Sequence, residues 1–169
     1  MKKTINFILV SFCLLMAVMT AMPAQAQSGS SKSGIVSGFD AGAIINVEDP
    51  YSEYPQAFLK ENIPSILKNL GFKLSTSTPT KLYTSDRTPI KSKKDTYKKN
   101  GISVSYMYSV NKSYEMSELS ITFPNTSSRD KFIKSATEIG FKKQSSVSYS
   151  LGMLEINIKG NVVKFGLVS

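Results

Sequence analysis

Ile102-Ser103-Val104-Ser105-Tyr106-Met107-Tyr108-Ser109-Val110 reads as a strand with one apolar and one polar face. Side chains leave a strand alternately on opposite sides, so a period of two separates Ile, Val and Tyr from Ser and Met. Leu119, Ile121 and Phe123 alternate with Ser120 and Thr122 in the same way, predicting a hairpin partner across a loop at 111–117. Leu154, Ile156 and Ile158 alternate with Glu155, Asn157 and Lys159, and Gly160-Asn161 offers a tight turn into a last strand at 162–168. Weaker strands are expected at 72–76, 81–85 and 145–151, and the apolar patch Ala43-Ile44-Ile45-Asn46-Val47 reads as another.

Two helices stand between these strands. In the second, Phe132, Ile133, Ala136 and Ile139 fall on one apolar stripe. Ser127 is the expected cap, Asp130 suits the positive helix start, and Gly140 supplies the left-handed stop. In the first, Ile63, Ile66, Leu67 and Leu70 form the stripe and Gly71 the stop. Pro64 has no backbone donor and so belongs in a first turn, which sets a separate short helix at Pro55–Glu61 and a bend before Ile63.

The elements repeat an order. Leu70-Gly71-Phe72-Lys73 closes one helix and Ile139-Gly140-Phe141-Lys142 the other, 69 residues later. The expected fold is therefore α+β: an antiparallel sheet with two helices packed on one face, arranged as a tandem helix-then-three-strand duplication with halves at 50–124 and 125–169. That layout is similar in outline to bacterial β-lactamase inhibitory proteins, which are tandem helix-and-sheet repeats. The resemblance implies an alternative function, inhibition of a secreted or periplasmic enzyme.

The amino terminus carries an export pattern. Lys2 and Lys3 precede an apolar run from Phe7 to Met19, and Ala24-Gln25-Ala26 presents small residues where a signal peptidase reads them. Residues 1–26 are expected to be removed, since the run is shorter than the ~20 residues of a spanning helix. Residues 27–34, rich in Ser and Gly, form a flexible leader, and 35–169 a single domain. The expected destination is the periplasm or the medium of a bacterial cell.

The chain after residue 26 contains no Cys, His or Trp. Ser-His-Asp and Cys-His catalysis and ordinary zinc sites are thereby excluded, and no cofactor is expected. Ser-x-x-Lys occurs at Ser65/Lys68, Ser109/Lys112 and Ser128/Lys131, as often as chance gives for a chain with so many Ser and Lys. The acids Glu48, Asp49 and Glu53, and the pair Glu115 and Glu118 on the 111–117 loop side, read as solubilising loop charges. The expectation is a non-enzymatic protein.

Charge is the remaining signal. The mature chain holds 19 basic and 12 acidic residues, and the surplus concentrates in Arg87, Lys91, Lys93, Lys94, Lys98 and Lys99, with Tyr97 among them. Read as an exposed loop, this segment would attract phosphates, sulfates, an anionic membrane surface or an anionic glycan in the envelope or outside the cell. The plainer reading is a long solvated hairpin connection. Nucleic acid is disfavoured by export and by the lack of a reader motif. Tyr106 and Tyr108 are expected on a core face.

Overall fold

Strand alternation governs nearly everything in the computed structural model, which describes residues 36–48, 50–51, 59–60, 62–83, 87–110 and 118–168. The expected signal and leader, 1–26 and 27–34, lie outside these residues. Eight strands form one antiparallel sheet: β1 (Lys73–Tyr83), β2 (Pro89–Lys99), β3 (Ile102–Ser109), β4 (Glu118–Thr122), β5 (Lys142–Lys143), β6 (Ser148–Leu151), β7 (Leu154–Lys159) and β8 (Val162–Leu167). Their spatial order is β1-β2-β3-β4-β8-β7-β6-β5, so each chain half enters at an edge and meanders inward to the β4–β8 seam.

Among the described residues three helical segments accompany the sheet: α1 (Ala41–Ile44), α2 (Ile63–Asn69) and α3 (Thr126–Glu138). At the tip of β3 the alternation read from the sequence fails, since Ser109 is buried and Val110 exposed where the ribbon's covered face changes sides. Ile102, Val104, Leu119, Ile121, Leu154 and Ile156 are buried as read in β3, β4 and β7, and Val163 and Phe165 of β8 are buried with them. They join Ile63 and Leu67 of α2 and Phe132, Ile133 and Ala136 of α3 in a single cluster. Phe132 is its hub, with ring centroids 5.9 Å from Phe39, 5.4 Å from Phe123 and 6.3 Å from Phe165. A further contact, Phe39 to Phe72 at 4.9 Å, extends the aromatic chain to the end of α2.

Both longer helices end alike. Past α2, Gly71 N–H donates to Lys68 O and Phe72 N–H to Leu67 O; past α3, Gly140 donates to Thr137 O and Phe141 to Ala136 O. This is the Schellman arrangement, which needs a left-handed residue, and Gly71 (φ 80°) and Gly140 (φ 112°) provide it. Phe72 and Phe141, one residue on, are each buried at 3% exposure, so chain reversal and core anchoring are achieved together.

Several expectations are corrected. Residues Ala43 and Ile44 belong to α1, capped by the Asp40 carboxylate, and only Ile45 pairs in extended fashion, in an isolated bridge with Leu59. That bridge also replaces the end of the helix expected at Pro55–Glu61, whose remaining residues, apart from Lys60, lie outside the described set. The strands expected at 72–76 and 81–85 merge into β1, bulged between Leu74 and Thr76. The segment Arg87–Lys99, expected as a loop, is mostly strand β2: its backbone pairs with β1 on one side and β3 on the other, which outweighs its solvated side chains. Glu118 likewise begins β4 instead of sitting in the loop. Among the described residues, 50–124 and 125–169 thus carry four strands each, not three.

The cap of α3 also moves. Asn125, in extended backbone, accepts from the Ser128 N–H through its side-chain oxygen at 2.8 Å, while Ser127 lies exposed inside the first turn. Asn125→Ala is therefore expected to lower unfolding free energy by about 1 kcal/mol in a denaturant titration, and Ser127→Ala by a few tenths at most. The reverse ranking would restore Ser127 as the cap.

Candidate functional site

Strand pairing distributes the basic segment instead of gathering it. Lys91, Lys93 and Lys99 share a sheet face with Asp95 and Tyr97; Lys94 and Lys98 leave on the other. Lys91 and Lys99 are eight residues apart, roughly 26 Å along an extended strand. Arg87 lies before β2, exposed and with φ 64°.

Lys99 is taken up structurally. Its ammonium donates to the Leu70 carbonyl at the C-terminal end of α2, where a cation also meets the negative end of the helix. It is a half-buried helix-end partner. Lys98 and Lys99 both border an open hollow at the β2–β3 turn, together with Asn100, Gly101 and Thr122.

Lys91 and Lys93 gain a neighbour that sequence alone did not provide. The β1–β2 register sets Lys81 directly opposite Lys91, and Pro79 opposite Lys93. The three lysines border an open groove of about 620 Å³, whose other walls are Pro79, Pro89, Ile90, Thr80, Ser92 and Val110. Among the described residues none of the three forms an ion pair. Like charges directly opposite on a sheet repel, so this arrangement opposes stability where it stands. Lys81, in the middle of the Ser- and Thr-rich strand β1, lies outside the contiguous charge run.

The groove exists because the ribbon outruns the core. β3 ends opposite Ser92, while β1 and β2 continue pairing to Tyr83 and Pro89. Burial changes sides along β2: Tyr97 and Asp95 are buried on the core face, but nearer the tip it is Ser92 and Ile90, on the opposite face, that are covered. The Ser92 hydroxyl donates to Ile90 O and accepts from Leu82 N–H, fixing the tip. Lys91 and Lys93 are thereby left in solvent.

Asp95 is the exception among the acids. Only 7% exposed, it accepts from the Tyr108 hydroxyl at 3.2 Å through Oδ2, and its buried Oδ1 has no partner. Tyr106 stacks on Tyr108 with centroids 5.5 Å apart. Burial raises the Tyr97 and Tyr108 hydroxyls above the ordinary tyrosine value, and the Asp95 charge raises both further. Among the described residues no group of three or more His, Cys, Asp or Glu could hold a metal ion, and no helix is long and apolar enough to cross a membrane. Compared with known proteins, the chain matches no family model, no curated protein and no solved structure.

A raised tyrosine pKa favours the neutral form in the folded state. Its stabilising contribution is complete below the unfolded value of about 10 and is lost as pH climbs through the raised folded value. In an alkaline titration followed by tyrosinate absorbance, part of the tyrosine signal is expected to ionise late. Asp95→Asn should recover some of that delay but not all, because burial is the larger cause. Unchanged midpoints in the variant would remove Asp95 from the tyrosine environment.

Proposed function

We propose that this chain is an exported, non-enzymatic binding module that takes an anionic partner in the envelope or outside the cell. The single observation that carries the reading is the facing Lys81–Lys91 pair with Lys93 beside it, exposed along an open groove and, among the described residues, ion-paired with no acid. Repulsion kept within a fold is relieved when an anion arrives, so the binding energy of the partner and the cost to the free protein share one origin. Export is supported by the amino-terminal pattern, Lys2 and Lys3 followed by an apolar run and Ala24-Gln25-Ala26.

The architecture is read as a tandem duplication with the two longer helices on one sheet face. Each half runs helix, Schellman turn, buried Phe, then a four-stranded meander, and the strand order is symmetric about the β4–β8 seam. The shared cluster of α2, α3 and the apolar sheet residues supports the one-sided packing.

Replacing Lys81, Lys91 and Lys93 together by Gln is expected to lower the salt concentration at which the protein leaves a sulfated resin. A control with Lys68, Lys131 and Lys134 replaced by Gln changes net charge equally but touches only helices, and should elute near the parent. Equal losses in both would mean that net charge alone binds, and the groove would drop out. Export is checked by mass spectrometry of protein from its native host: a chain beginning at Gln27 is expected, and retained Met1 would overturn it.

A further inference from the structure

The sheet face opposite the apolar cluster carries an ordered polar array. Thr96, Ser105, Ser120, Lys164, Asn157 and Ser148 are successive register partners on six neighbouring strands, from β2 to β6. Every one of them bears a hydrogen-bonding group, and the Thr96 and Ser105 hydroxyls lie 3.1 Å apart. The next row runs Lys98, Ser103, Thr122, Val162 and Lys159, with an ammonium at each end. Lys73, opposite Lys98, extends it to the sheet edge. Among the described residues two acids share the face, Glu118 and Glu155, and both stand outside these rows. Glu155 is engaged by the Asn157 side chain at 2.8 Å.

From this array we propose that the helix-free face is the seat of an extended acidic polysaccharide lying across the strands. The inference rests on the reading of the chain as a binder of anions and names the partner class. Neighbouring strands repeat every ~4.8 Å, close to the length of one sugar residue in an extended chain, so a row of hydroxyls meets successive sugars in step. Hydroxyl and amide side chains both donate and accept, as sugar hydroxyls do. The lysines at the row ends and at Lys164 answer carboxylate or sulfate groups along the polymer. Among the described residues this face bears no aromatic ring, so it offers no stacking surface and its hold depends on polar and ionic contacts. A bilayer surface fits poorly, because insertion needs exposed apolar side chains. The two rows contain one apolar residue, half-buried Val162.

The test uses the purified chain with alginate as the polyuronate, dextran as a neutral polymer, and vesicles of phosphatidylglycerol. The pair Ser105→Ala and Ser120→Ala leaves charge untouched and is expected to weaken alginate binding on the order of tenfold, with vesicle binding unchanged. The triple Lys98→Gln, Lys159→Gln and Lys164→Gln, all at exposed positions, is expected to weaken alginate at least as much; it decides the matter if the serine pair loses its cooperative unfolding transition. Dextran should not bind. Parent-like alginate affinity in the variants, or equal binding of dextran, overturns the proposal. A parent protein that is held on sulfated resin through the groove lysines yet ignores alginate overturns this inference while the proposed function stands. A parent that binds neither overturns both.

Discussion

Successive side chains of a strand point to opposite faces, and that constraint decides what the most charged part of this protein can do. Placed in β2 between two hydrogen-bonded neighbours, the basic segment divides into cations on the core face and cations on the outer face. No local rearrangement can reunite them, because slipping the register by one residue would turn Tyr97 and Asp95 outward and break the apolar face of the sheet. The segment is thus held in place by its minority of buried side chains.

The same alternation makes the sheet two-sided. One side is apolar along β3, β4, β8 and β7 and shares its buried cluster with helix residues around Phe132; the other carries Ser, Thr and Lys. With no Cys after residue 26, no disulfide can link that part of the chain, and its cohesion depends on the buried layer. Edge protection follows similar economy. β1 is exposed along most of its length and carries Lys73, Lys81, Pro79 and a bulge, all of which discourage pairing with another strand.

Electrostatics reinforce the division. Among the described residues the one deeply buried acid, Asp95, is committed to Tyr108, and the acids nearest the helices serve caps and helix-surface pairs. Lysines that face solvent at the ribbon tip and on the outer sheet are left with few counter-charges of their own. Lys99 shows the converse: once a helix end lies within reach, a lysine from the same run becomes part of the scaffold.

The periodicity of Ile102–Tyr106, Leu119–Phe123 and Leu154–Val168, the stripes of both longer helices and the Gly71 and Gly140 stops could be read directly from the sequence, because each depends on spacing over a few residues. What the sequence could not convey was pairing between distant segments. The lysine run looks like a loop until β1 and β3 claim its backbone, Ala43-Ile44 look extended until Asp40 caps them into a helical turn, and Asn125 outranks Ser127 only once its oxygen is aimed at the Ser128 amide. The groove of Lys81, Lys91 and Lys93 and the rows across the outer face exist solely through register, a long-range property fixed by which strands meet and in what alignment. Local chemistry determined the elements; tertiary pairing decided which side chains became neighbours.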